Sequence, residues 1–304
     1  MLDVLGVGTN SIDEVLQLSS DLSAALSVGK ARVTSIHTIA GGQTATVVAG
    51  CAALGLRTGY IGAFGSDANG AMARDALQSR GVDLTNAATA DAPNRTALIL
   101  VDPSGRRTVL WHRSERLLVP AGTLTPPTLS ARIVHIDDDD PSLALRVARE
   151  ARAAGSRVTS DIEHTSPLVE DIIGAVTHPI FGEHLPAQLT GEQDPERALR
   201  KLRRLNGGLL VMTLGERGSV ALEGDVFHAV PAFSVNVVDG TGAGDVFRAG
   251  LAYGLLQEWD VPGSLRFANA AAALSCTRLG AMPSVPSLAE VTDLLASHRT
   301  AVSS

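Results

Sequence analysis

Short apolar runs rich in Val, Ile and Leu alternate with segments of helical period along most of the chain. That alternation predicts a mainly parallel sheet covered by helices on both faces. Leu2–Val7 reads as a first buried strand, residues 41–54 as a helix opened by two glycines, and Thr58–Ile61 as the next strand. Residues 66–80 read as a helix with Ser66 as N-cap and Gly81 just past its end. After residue 130 the alternation resumes with strands at 133–136, 157–162, 175–180 and 209–214, and with helices at 141–154 and 195–205. A hairpin is expected from 219–222 and 226–229, followed by helices at 243–258, 262–278 and 288–297.

Two stretches break the pattern. Thr96–Val101 and residues 107–111 flank Asp102-Pro103-Ser104-Gly105, which is turn chemistry and predicts a hairpin. Residues 31–39 are also strand-like. These pieces are expected to form a small β-sheet lid, inserted at about 12–40 and 95–114 of a single domain spanning 1–304. Asp140 as N-cap and Pro141 at the first helical position explain the end of the run Asp137–Asp140, while Asp137 or Asp138 can reach a cleft at the strand ends.

Charge narrows the chemistry. Of 25 basic side chains only Lys30 and Lys201 are lysine. A Schiff-base lysine or a phosphate loop ending Gly-Lys-Ser/Thr would have to use one of them, and neither context fits. A net charge of -7 with no basic block argues against nucleic acid as partner. The start MLDVLGVG has no basic n-region, and no apolar run reaches about 18 residues, so a soluble cytoplasmic protein with no membrane partner is expected. Cys51 and Cys276 lie in apolar surroundings without CxxC spacing and are expected to be buried, reduced thiols.

The most informative segment is Asp239-Gly240-Thr241-Gly242-Ala243-Gly244-Asp245, after a strand-like run and before a helix. Free amides of Gly242, Ala243 and Gly244 at a helix start make an anion site. Asp245, in the first helical turn, is either a simple helix-dipole acid or, beside a phosphate, a general base for an attacking hydroxyl. This segment resembles the signature of the PfkB-type carbohydrate kinases, the ribokinase group. The double-glycine segment Gly41-Gly42-Gln43-Thr44-Ala45-Thr46 resembles that family's N-terminal signature, and IGAFGSDANG, TALILVDPSGRRT, VMTLGERGS and AAALSCTRLGAMPSVP follow in family order.

The resemblance implies a ribokinase-like three-layer α/β/α sandwich and ATP-dependent phosphorylation of a sugar hydroxyl, usually a primary alcohol, with Mg2+. Asp245 becomes the base, and the amides of Gly242, Ala243 and Gly244 stabilise the transferring phosphoryl group. Asp13 matches the family's sugar-binding aspartate, with Asn10 as neighbour and Gly41, Gly42 and Gln43 against the sugar; Thr46 departs from the asparagine many members carry. Asp138 is a further candidate on this side. Thr213, Gly215 and Gly218 match a nucleotide loop; Asn269 faces the adenine side or is a satisfied polar group of an alanine-rich helix. The family's Asn-x-x-Glu motif is not intact, because Gly182 and Leu185 occupy its places, and Glu183 stands as a substitute. The closing segment resembles one that encloses K+ in ribokinase, with side-chain oxygens of Asp239 and Ser284 and carbonyls of Thr241, Ser275, Arg278 and Gly280; a plain helix-ending turn is the alternative. Arg106, Arg107 and Arg113 on the lid either grip an anionic substituent or form a solvated strand face. Within the family the residues lean toward ketohexose, sulfofructose or ribose kinases, with a nucleoside kinase or a non-catalytic binding homologue as alternatives. Pairing of two subunits through the lid's strand edges is expected.

Overall fold

The computed structural model describes residues 1–300. Its central sheet has the order β10 (Arg157–Asp161), β9 (Ala131–Asp137), β1 (Leu2–Val7), β4 (Thr58–Ile61), all parallel. A second sheet has the order β11 (Ile180–Gly182), β12 (Leu210–Thr213), β13 (Ser219–Glu223), β14 (Val226–Val230). β11 pairs parallel with β12, and the rest is antiparallel. Isolated parallel bridges, Thr159 with His178 and Ile162 with Phe181, join the two sheets into one layer. Strands buried on both sides read as continuous apolar runs, which is why the sequence reveals them.

One face of this layer carries α2 (Gln43–Ala53), α8 (Ala243–Leu256) and α9 (Val261–Ser275). Val47, Cys51, Ala249 and Ala252 pack there on Val4 and Ile133. The other face carries α4 (Pro141–Ala153), α5 (Val169–Ala175), α6 (His184–Thr190) and α7 (Pro195–Leu202), whose Leu145, Ile172, Leu185 and Leu199 pack on Val134, Phe181 and Met212. α3 (Ala68–Gln78), with β5 (Ala63–Gly65) and β6 (Ala88–Ala90), closes one end, and α10 (Leu288–Thr300) packs on α9 through Val291. The result is the expected three-layer α/β/α sandwich.

The lid is a four-stranded sheet, order β3 (Val33–Gly41), β2 (Ser11–Leu18), β7 (Thr96–Val101), β8 (Arg107–His112), with α1 (Leu22–Val28) between β2 and β3. Its inner face packs Val15, Ile39, Ala97, Ile99 and Val101 together with Leu279. Cross-strand pairing puts Arg107, Val109 and Trp111 on this same inner face, opposite Val101, Ile99 and Ala97. The outer face carries Ile36, Leu98 and Leu110, all exposed.

Several sequence expectations need correction. β2 is not announced by the sequence, because Ile12, Val15 and Leu18 recur every three residues, a helical spacing, while the strand is fixed by pairing with β3 and β7. The strand expected at 175–180 begins only at Ile180, since Ala175 still ends α5 and His178 meets β10 only as an isolated bridge to Thr159. The N-cap of α3 is Asp67, whose carboxylate accepts the Gly70 amide at 2.9 Å, and not Ser66. Gly42 is the N-cap of α2, while Gly41 still belongs to β3. Cys51 is fully buried, but Cys276 is half-buried; both are free. Among the described residues no helix is long and apolar enough to cross a membrane.

Candidate active site

The loop before α8 is pinned to the segment after α9. The Val238 and Asp239 amides donate to the Cys276 carbonyl at 2.8 and 3.2 Å. The buried Asp239 carboxylate accepts the Thr241 amide at 2.8 Å and hydroxyl at 2.7 Å on one oxygen, and the Gly280 amide at 2.8 Å on the other. Gly242 takes φ 78°, and a Cβ there would lie 2.6 Å from that of Ala281, so a glycine is needed both for the turn and for the contact. α8 thus starts without a side-chain cap. The Gly242 and Gly244 amides meet no acceptor among the described residues, whereas Ala243, expected to offer a third, donates to the Gly240 carbonyl at 3.3 Å. This leaves a partial positive charge at the helix start.

Asp245 stands in the first turn, and its carboxylate makes no hydrogen bond or ion pair among the described residues. Burial and the charge of Asp161 hold its proton well above the usual carboxylate range, with Arg248 pulling the other way.

Thr213, Gly215, Gly218, Asn269, Ala243 and Gly244 all line one cavity of about 740 Å³, with Phe233 and Cys276. Thr213 ends β12 with its hydroxyl on the Phe181 carbonyl at 3.3 Å, and Gly215 opens a short 3-10 turn closed by Gly218. Asn269 donates to the Val230 and Pro231 carbonyls at 3.0 and 3.2 Å, so it is a satisfied polar group that also faces the cavity. Glu183 is not on that wall: it is ion-paired with Arg217 and lines a neighbouring cavity with His184 and Glu192.

Where β3 meets α2, Asp13, Asn10, Gly41 and Gly42 come together. A Cβ on Gly41 would overlap the Asp13 carboxylate, and one on Gly42, at φ 96°, would overlap the Asn10 backbone. Asp13 is only 5% exposed, so it is not a solvated loop acid; it accepts the Ser11 hydroxyl at 2.6 Å, and burial raises its pKa. Asn10 donates to Tyr60 Oη at 3.0 Å and the Ala63 carbonyl at 2.8 Å, leaving its own Oδ1 without a partner. Thr46 is fully buried in α2 with an unpartnered hydroxyl. Gln43 turns to Asp161, donating at 3.1 Å. The Asp138 carboxylate accepts the Glu163 and His164 amides at 3.0 and 2.8 Å and so holds the loop after β10. Its neighbour Asp137 accepts the Thr9 amide at 2.7 Å and the Thr9 and Thr44 hydroxyls at 2.8 and 2.7 Å.

In the closing segment, the Ser284 hydroxyl donates to the Ala281 carbonyl at 2.7 Å, and the Ser275 carbonyl accepts the Arg278 amide at 3.1 Å. The carbonyls of Thr241, Arg278 and Gly280 accept no hydrogen bond among the described residues. Arg278 reaches Glu290 of α10.

Sequence reasoning missed two charged clusters. Arg95 and Arg113 both pair with Asp139, a contact that fastens the lid to the end of β9. Arg248 pairs with Asp161 beneath α8; the available signal was a charged residue on the buried face of an otherwise apolar helix. Of the lid arginines, Arg106 pairs with Asp21 and Asp102, while Arg107 has no side-chain partner among the described residues.

Residues 10–288 match the pfkB family carbohydrate kinase profile. A nucleoside kinase of Methanothermobacter thermautotrophicus is 29% identical over 300 residues, covering 95% of this chain and 94% of that protein. An ATP-dependent ribose-1-phosphate kinase of Halopiger xanaduensis is 31% identical over 261 residues, covering 83% and 86%. The structure of Arabidopsis thaliana ribokinase complexed with ribose and ATP superposes with a TM-score of 0.82 at 25% identity, covering 97% of this chain and 98% of that one. An unpartnered aspartate at a glycine-built helix start, flanked by a nucleotide-sized cavity in this fold and matched over nearly the whole length, places the chain in the PfkB family of carbohydrate kinases, ATP-using phosphotransferases with an alcohol group as acceptor.

Proposed function

We propose that the chain transfers the γ-phosphate of ATP to a hydroxyl, a primary alcohol first of all, of a small sugar such as a ketohexose or ribose. The observation that carries this reading is the free Asp245 carboxylate beside the unpartnered amides of Gly242 and Gly244, with Gly244 on the wall of the Thr213 to Asn269 cavity and with Asp161 linking α8 to Gln43, next to Gly41 and Gly42. Asp245 takes the proton of the acceptor hydroxyl while the hydroxyl oxygen bonds to the γ-phosphorus. The bond from that phosphorus to the bridging oxygen breaks, and ADP leaves with the electron pair. The helix-start amides meet the negative charge on the transferring group, so positioning and electrostatics supply most of the rate. Asp13 and Asn10 Oδ1, which has no partner, accept from the sugar hydroxyls, and Gly41 and Gly42 let the sugar lie on the backbone.

Magnesium would spread the charge of the nucleotide phosphates. Among the described residues no group of three or more carboxylate, histidine or cysteine side chains could hold a metal, and Glu183 is taken up by Arg217, which suits an ion that arrives on the nucleotide. The carbonyls of Thr241, Arg278 and Gly280 are oxygens that a hard monovalent cation such as potassium takes. A second reading, a nucleoside as acceptor, is favoured by the likeness to the archaeal nucleoside kinase over 95% of the chain. Measuring ADP release with ketoses, pentoses and nucleosides separates these readings. Saturable binding with turnover on none would replace both with a non-catalytic binding protein.

A further inference from the structure

Arg248 is 3% exposed and lies one turn beyond Asp245 on the same face of α8. Its guanidinium folds back toward the helix start: a Cβ on Gly244 would lie 2.7 Å from Nη1. There it pairs with Asp161, fully buried at the end of β10. The second oxygen of Asp161 accepts Gln43 Nε2 at 3.1 Å, and Gln43 directly follows Gly42. One buried chain of contacts, Gln43 to Asp161 to Arg248, thus runs under the phosphoryl-transfer point from the acceptor helix to the donor helix. Arg248 Nε has no partner, so the pair is incompletely satisfied. A buried ion pair of this kind contributes little net stability, and apolar replacements of both members are often neutral. Its presence beside Asp245 calls for another reason.

The charges around the base supply one. Asp161 and Glu163, at the end of β10, face Asp245 and raise it; Arg248 on α8 and Arg107 on β8 lower it. Asp137 and Asp138, at the end of β9, act in turn on Asp161. His135 on β9 is pushed down to about 3 by burial, so it adds no charge. Among the described residues Arg248 is therefore the one buried cation beside these carboxylates.

We propose that Arg248 and Asp161 form a charge-setting pair under the helix start, in which Arg248 is the positioning residue that keeps Asp245 a free carboxylate able to take the acceptor's proton. This rests on Asp245 being the base, and the test is chosen to work without any substrate. An acid raised by folding holds its proton more tightly when folded, so the folded state loses stability as pH rises from the unfolded pKa, and the loss levels off once pH passes the folded pKa. Asp245→Asn removes that loss. The difference in Tm between wild type and Asp245→Asn, followed from pH 4 to 10, therefore grows with pH and reaches its plateau where Asp245 ionises in the folded state. In the Arg248→Met background the plateau should come at higher pH and the total difference should be larger, the effect of removing an opposite charge. Both should return toward the wild-type values in Arg248→Met/Asp161→Asn. If Arg248→Met does not fold, Asp161→Asn alone decides, because it should bring the plateau to lower pH and shrink the difference. A plateau that stays in place in either background overturns the proposal. With an acceptor that turns over, drawn from D-ribose, D-fructose and adenosine, the acid limb of kcat/KM should move in parallel. Turnover on none of them counts against the sugar-kinase reading and leaves the Tm result to judge the pair.

Discussion

Asp245 has to be ionised to accept a proton, yet burial and Asp161 both favour its protonated form. kcat/KM should therefore rise with pH along an acid limb lying above the range of an exposed aspartate, in a buffer series at fixed ionic strength. Asp245→Asn should lower kcat by roughly 10²–10⁴-fold with nucleotide binding retained, as loss of a general base does. A calorimetric Kd for a non-hydrolysable ATP analogue checks the second half. Gly41 tests the acceptor side, since a methyl there overlaps the Asp13 carboxylate. Gly41→Ala should raise the acceptor KM or lower kcat/KM by ~10²-fold, the scale of a misplacement of about 1 Å, and leave the ATP KM unchanged. At this scale the sequence was legible wherever a glycine or acid sat in a motif. The pairing of Arg248 with Asp161 was not, because 87 residues separate the partners and only the tertiary fold brings β10 under α8.

Helices and strands were legible to the extent that periodicity and punctuation agreed. α4 was found whole because Asp140, Pro141 and Gly155 mark its limits. β2 was missed because its register depends on neighbours on both sides, information that no local spacing holds. The start of α10 is a capping box: Ser287 accepts weakly from the Glu290 amide at 3.4 Å, while Glu290 accepts the Ser287 amide at 2.8 Å. The same carboxylate pairs with Arg278, which ties α10 to the closing segment, and the Ser287 amide, Arg278 and the Ser287 hydroxyl hold Glu290 down at about 2. Because this pKa is depressed on folding, the stability it contributes is present above about pH 4.5 and is lost as pH falls toward 2. Ser287→Ala should cost about 1 kcal/mol in urea unfolding at pH 7, and the Glu290→Gln variant should differ least from wild type near pH 2.

For the whole molecule, the layer order was readable from the alternation of strands and helices, and the lid from the stretches that broke it. What the lid's outer face meets was not. Ile36 (62% exposed), Leu98 (36%) and Leu110 (54%) lie on that face, and β8 leaves an unpaired edge. A second copy of the chain is the proposed cover, since a twofold contact would bury the same apolar residues from both sides. Leu110→Glu should then convert a dimer to a monomer in sedimentation velocity at micromolar concentration, and a wild-type monomer would contradict the assembly. The kinase assignment itself is tested most directly by following γ-phosphate transfer from ATP to D-ribose, D-fructose and adenosine by 31P NMR, with wild type and Asp245→Asn side by side. A phosphomonoester with matching ADP is expected for at least one acceptor, nearly abolished in the variant; the same ester formed at wild-type rate by Asp245→Asn would contradict the assignment.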